Sequence, residues 1–187
     1  MSRHPQILSA ADAFLVVVDV QERMNAVMAS QAHLPRIQAL MQGFAALELP
    51  VLRAEQYPQG LGSTVASVAK LHAQAPLIKE TFSCACDDEF LRVASMLARR
   101  QALIVGIEAH VCVAQTALDL LHLGFRVHVP HDAVQSRRVA DREYALQRLS
   151  AAGVVVTSTE SALFELLERA GSDVFKKVSS LIKAIEV

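Results

Sequence analysis

The sequence predicts an α/β protein, an open three-layer α/β/α sandwich built on a parallel sheet. Short β-branched runs recur at Phe14 to Val20, Pro50 to Arg53, Leu77 to Ile78, Ala102 to Gly106, Arg126 to Val129 and Val154 to Thr157. Their near-continuous apolarity suits strands buried on both faces, as in a parallel sheet. Segments with helical spacing lie between them, and that alternation reads as right-handed βαβ crossovers. A 52% apolar share with 5% aromatic residues and no Trp then demands an aliphatic core. The chain of 187 residues is long enough to bury one as a single domain, 1–187.

The elements follow in order. The first strand closes on Asp19, in Leu15-Val16-Val17-Val18-Asp19-Val20. A carboxylate there is costly to bury unless it is paired, so Asp19 either caps its loop or does chemistry. Leu34, Ile37, Leu40, Met41, Phe44 and Leu47 repeat at helical spacing, and so do Phe90, Val93, Ala94 and Leu97. Glu55-Gln56-Tyr57 follow the second strand and Lys79 follows the third. The fourth runs into Gly106-Ile107-Glu108-Ala109-His110-Val111-Cys112-Val113, which puts a thiol at or near the start of a helix beginning about Val111. Ala114, Ala117, Leu118 and Leu121 continue that helix, and Gly124 ends it as a C′ glycine should. Asp132 and Ser136 follow the fifth strand. Residues 158–187 read as a C-terminal helical segment broken near Gly171, whose amphipathic end from Val174 to Ile185 offers an apolar face for self-association.

Composition excludes several classes. The net charge is −1 and no long run of one sign occurs, which argues against nucleic acid or an anionic membrane as partner. Met1-Ser2-Arg3-His4-Pro5-Gln6 is polar and lacks a signal-peptide core, and no apolar stretch approaches the roughly 18 residues of a membrane span. Three cysteines, two of them in Cys84-Ala85-Cys86, argue for reduced thiols and a cytoplasmic protein. Asp19-Val20-Gln21-Glu22-Arg23 carries no glycine-rich dinucleotide turn, a Walker A sequence is missing, and the seven histidines are scattered. No metal or other cofactor is therefore expected.

In open parallel sheets, ligands bind at the carboxyl ends of the strands, where strand order reverses. Asp19, Gln56, Tyr57, Lys79 and the Glu108–Cys112 loop all stand at such ends. Free cysteine is often a small core residue. At a helix N-terminus, with Lys79 nearby, a thiol is instead favoured as thiolate. Acid, lysine and cysteine converging on one crevice make the arrangement of an activated nucleophile. His110, two residues before the cysteine, reads as a loop or rim residue, and Cys84 and Cys86 as packing.

These segments resemble the isochorismatase-like cysteine hydrolases, over about Ala13 to Leu167. Leu15-Val16-Val17-Val18-Asp19-Val20-Gln21 looks like the first strand with its catalytic acid, and Lys79-Glu80-Thr81-Phe82-Ser83 like the lysine segment. Gly106 to Val113 looks like the nucleophile loop, and Asp132-Ala133-Val134-Gln135-Ser136-Arg137 like the final motif. Glu55-Gln56-Tyr57-Pro58-Gln59-Gly60-Leu61-Gly62 is similar to the isochorismatase domain-containing subgroup. The resemblance implies a six-stranded parallel, doubly wound (Rossmann-like) sheet and an Asp19–Lys79–Cys112 triad. It also implies a cis peptide at Ile107–Glu108, an oxyanion hole from the amides of Glu108 and Cys112, a thioester intermediate and a homo-oligomer. Two departures bear on substrate. The region after the second strand lacks the histidines of metal-dependent nicotinamidases, and Ala109 stands where a threonine is usual. The expected activity is metal-independent hydrolysis of a small amide, carbamoyl or related carbonyl compound, with Gln56, Tyr57, Phe82 and Ser83 lining the pocket. Hydrolysis of an isochorismate-like enol ether, and a non-catalytic interaction or thiol redox protein on the same scaffold, are the alternatives.

Overall fold

A computed structural model describes residues 3–185. The chain runs β1 (Ala13–Val18), α1 (Glu22–Asn25), α2 (His33–Ala46), β2 (Val51–Gln56), α3 (Pro58–Leu61), α4 (Ala66–Ala69) and β3 (Leu77–Lys79). It continues through α5 (Asp88–Met96), β4 (Gln101–Ile107), α6 (Ala114–His122), β5 (Arg126–Pro130) and β6 (Val134–Gln135). It ends with α7 (Val139–Ala151), β7 (Val155–Thr157), α8 (Thr159–Leu167) and α9 (Asp173–Ile185). A 3-10 turn at Cys84–Cys86 leads to α5, and a π-helical turn at Ala109–Val113 joins β4 to α6.

The strands pair in parallel in the order β3-β2-β1-β4-β5-β7. All six expected strands are present. A seventh, β6, takes over from β5 along the far edge of β4, with Gly106 opposite Val134 and Ile107 opposite Gln135. Two residues make no periodic pattern, which is why β6 is absent from the sequence reading. The order reverses between β1 and β4, so the crevice for a ligand opens beyond Asp19 on one side and Glu108 on the other.

Alternate strand residues feed two cores. Phe14, Val16, Val18, Ala102 and Ile104 face α5, α6 and α7 through Phe90, Ala117, Leu120 and Leu149. Leu15, Val17, Leu103 and Val105 face α2, α8 and α9 through Ile37, Leu40, Phe44, Leu163 and Val178. Period-2 alternation with both faces apolar is what makes these strands near-continuous aliphatic runs. The C-terminal segment departs from expectation. The apolar face of α9 is not free for self-association, because Val178 and Ile182 are buried in the second core and the helix packs on α2.

One glycine is needed where the sheet opens. Gly106 has φ +122, and a Cβ there would stand 2.0 Å from the carbonyl oxygen of Val18. Its absence lets β4 approach β1 at the switch point. Among the described residues no helix is long and apolar enough to cross a membrane.

Candidate active site

Asp19 is the first residue past β1 and adopts a left-handed backbone, φ 51. Asp tolerates that region better than most residues, though at some cost, and such strain concentrates at functional sites. The turn is held by Asp19 N–H donating to Ala54 O at 3.1 Å and Gln21 N–H donating to Asp19 O at 2.7 Å. The carboxylate is thereby aimed across the strand ends. Its Oδ2 accepts from Lys79 Nζ at 2.7 Å, while its Oδ1 is buried with no hydrogen-bond partner among the described residues.

Lys79 does not neighbour Asp19 in the sheet. β3 pairs with β2, and Lys79 lies opposite Gln56, so the lysine arm reaches over the end of β2 to the acid at β1. The same ammonium donates to the carbonyls of Thr81 at 3.0 Å and Phe82 at 3.2 Å. With three acceptors its donor capacity is filled. Asp19 and Lys79 are only 3% and 2% exposed; the ammonium of this dry pair is fully satisfied, whereas the carboxylate keeps one oxygen bare among the described residues.

Cys112 sits in the π-helical turn, 7% exposed, and its Sγ donates to Gln56 Oε1 at 3.2 Å. Burial, and then the Asp19 carboxylate beside it, push the thiol above its ordinary range despite Lys79. That differs from the expected depression, and two reasons are visible. Cys112 lies inside a wound turn rather than at an open helix start, and the lysine charge is committed to Asp19. Burial also raises the Asp19 carboxyl, against the opposing pull of Lys79. Cys84, fully buried behind the site, is pushed up to about 12 by burial.

Asp19, Gln56, Tyr57, Phe82, Ile107, Glu108 and Cys112 line one cavity of about 340 Å³, together with Met24, Leu61 and Val111. Tyr57 and Phe82 are each 55% exposed at its mouth. The structure thus gathers every expected site residue except Ser83, whose hydroxyl instead caps the 3-10 turn by accepting from Ala85 N–H at 3.2 Å. Met24, Leu61 and Val111 escape the sequence reading because they come from short helices and the π turn rather than from strand ends. The peptide Ile107–Glu108 is cis. Glu108 anchors the loop between β4 and α6 to the segment after β6, its Oε2 accepting from Arg137 N–H at 3.0 Å and Nε at 3.1 Å.

The outlying candidates go elsewhere. His110 turns to the rim, with Nδ1 3.0 Å from Ser136 Oγ. Asp132 leaves the crevice altogether and caps α8, accepting from Thr159 N–H at 2.9 Å and Oγ1 at 3.0 Å. Its displacement follows from β5 stopping at Pro130, after which the chain turns back to form β6. Glu55 points away to Thr64, accepting from its N–H and its hydroxyl at 2.6 Å each. Among the described residues no group of three or more His, Cys, Asp or Glu converges as a metal-ligand set.

Comparison with known proteins shows the family and the fold. The Isochorismatase domain matches residues 13–161. Isochorismatase domain-containing protein 1 of Danio rerio is 37% identical over 177 residues, 94% of this chain. The chain spans 62% of that relative's length. Among solved structures, the MAR1 ribonuclease of Caenorhabditis elegans is 33% identical with a TM-score of 0.87, covering 94% of this chain and 92% of that one. The YcaC gene product of Escherichia coli, described as an octameric hydrolase of unknown specificity, shares the fold with a TM-score of 0.87 at 21% identity, over 99% of this chain and 98% of that one. The matched region runs from the first residue of β1 to within α8 and so contains the whole crevice, and this chain belongs to the isochorismatase family, in its isochorismatase domain-containing group.

Proposed function

We propose that the chain is a cysteine hydrolase acting on a small amide, carbamoyl or related carbonyl compound through a thioester. The observation that carries this is the bare Oδ1 of Asp19, a buried acceptor beside the Cys112 thiol whose companion oxygen is held by Lys79. A carboxyl raised by burial is a stronger base than an ordinary one. Oδ1 takes the thiol proton, and the sulfur attacks the carbonyl carbon. The oxygen of the tetrahedral intermediate is met by the amides of Glu108 and Cys112. Asp19 returns the proton to the departing nitrogen, and water, deprotonated by the same carboxylate, cleaves the thioester.

The lining favours this substrate class. Met24, Tyr57, Leu61, Phe82, Ile107 and Val111 make the walls apolar, and the ionisable lining groups are acidic or thiol apart from the Tyr57 phenol. Such a cavity suits a small uncharged acyl compound and is poorly matched to a phosphodiester. A screen of small amides and carbamoyl compounds, read by ammonia release, tests the reading. Cys112→Ala should lose at least about 10³-fold of the turnover, and a variant that keeps full turnover refutes a covalent cysteine.

One observation favours a second reaction. A carboxyl raised by burial can also hold a proton and donate it, as general acid to an enol ether. That route releases pyruvate without ammonia and survives Cys112→Ala. We further propose a homo-oligomer in a reducing, cytoplasmic compartment, supported by the octameric relative in fold and by three free cysteines.

A further inference from the structure

We infer that Gln56 is the resting acceptor of the Cys112 thiol proton, a latch that substrate must displace before the proton can pass to Asp19. The inference rests on Cys112 being the nucleophile. Its basis is the contact that the thiol makes with the Gln56 side chain. Cys112 Sγ donates to Gln56 Oε1 at 3.2 Å, while the buried Oδ1 of Asp19 stays without a partner among the described residues. The contact at hydrogen-bond distance is the one to the neutral amide oxygen, although the carboxylate beside the thiol is the stronger acceptor. An acceptor bound to the neutral form of a group keeps that group neutral.

The backbone of Gln56 cannot move to break this contact. The side-chain amide of Gln21, fully buried, donates to Gln56 O at 3.0 Å and accepts from Gln56 N–H at 2.8 Å. It also donates to Gly62 O at 2.6 Å. The movable part is the Gln56 side chain. Its Nε2 reaches only Glu80 O, at 3.4 Å, which is long for an amide hydrogen bond. Gln56 lines the same cavity as Met24, Tyr57 and Phe82, where an acyl substrate must sit.

A substrate amide offers Gln56 Oε1 a better donor than a thiol. When its N–H takes that oxygen, the S–H turns to Asp19 Oδ1. The proton passes to the carboxylate, leaving a thiolate and a neutral carboxyl. The sulfur lone pair then forms the S–C bond while the carbonyl π pair moves to oxygen. Gln56 is thus a catalytic residue that touches the reacting sulfur and keeps an unoccupied site from carrying a free thiolate. The titratable groups beside the thiol are Asp19 from the end of β1, Lys79 from β3 and Cys84 from the 3-10 turn, while Glu108 and Tyr57 line the same cavity.

The test uses the full chain in a Cys86→Ser background, since Cys86 is exposed and would react on its own. Iodoacetamide labelling of Cys112 at neutral pH is followed by mass spectrometry, and the S–H stretch by infrared spectroscopy. Gln56→Met removes the acceptor at similar length and should speed labelling about 2- to 10-fold, the worth of one ordinary hydrogen bond. Gln56→Glu supplies a stronger acceptor and should slow it. The substrate-free protein should show a hydrogen-bonded S–H band that Cys112→Ala abolishes. Slower or unchanged labelling in Gln56→Met overturns the latch, because the amide would then be donating to a thiolate. Absence of that S–H band overturns it without any variant at Gln56. Loss of the latch with Cys112→Ala still inactive leaves the nucleophile standing, whereas an active Cys112→Ala removes the nucleophile itself.

Discussion

At the scale of single residues, Asp19 and Lys79 form a buried ion pair in which the ammonium works against the burial of the acid. Burial presses the carboxyl toward its neutral form, and the ammonium 2.7 Å away opposes this. Lys79→Met leaves the carboxylate buried and uncompensated, and should cost about 3–5 kcal/mol. Adding Asp19→Asn should recover a large part of that loss, which urea denaturation of the two single variants and the double variant measures. Additive losses would mean the pair is not coupled. Asp19 and Lys79 were legible from sequence because each ends an apolar run, and Cys112 because it lies in the loop that follows one, so all three fall at one edge of a parallel sheet. Ser83 was not, because it belongs to a 3-10 turn whose N-cap needs a hydroxyl. The high proton affinity of Cys112 was not legible either, since sequence proximity to a helix start says nothing about how deeply the thiol is enclosed.

Among the elements, β4 bears most of the site, because its end carries the close approach at Gly106, the cis peptide and the π turn with Cys112. Gly106→Ala places a methyl 2.0 Å from the Val18 carbonyl oxygen at φ +122, where side chains are strained in any case. It should cost more than about 2 kcal/mol and splay β4 from β1. A lowered urea midpoint with a matching loss of turnover checks this, and a wild-type midpoint would show that the backbone can relax there. The apolar run of β4 announced the strand, and Gly124 announced the end of α6. The pairing of β6 was hidden, since a two-residue strand is defined by its partner rather than by its own pattern. The destination of α9 was hidden for a related reason. An amphipathic helix advertises an apolar face but does not say whether its own chain covers it.

For the whole molecule, two histidines tie stability to pH. Burial lowers both His33 and His128 to about 4 from an ordinary value of 6.5, and His128 has no hydrogen-bond partner on either ring nitrogen among the described residues. Between 6.5 and 4 the unfolded chain binds protons that the folded chain refuses, so stability falls as pH falls through that window. The loss is on the order of 3 kcal/mol for each histidine across the full window. The raised Asp19 carboxyl works with the opposite sign, because the folded state takes up its proton first as pH falls. Urea midpoints recorded from neutral pH down to about 4 should therefore slope downward, and His128→Leu should flatten the slope. An unchanged slope would show that His128 does not contribute. The fold class follows from patterning, whereas this acid sensitivity depends on which histidines the packing happens to enclose.

Lys79 also has a mechanical office. One ammonium grips the base of the site and the two carbonyls of the loop that carries Phe82, so the acid and the outer wall hang from a single atom. A change at Lys79 would therefore reach the buried acid and the half-exposed Phe82 at the cavity mouth together.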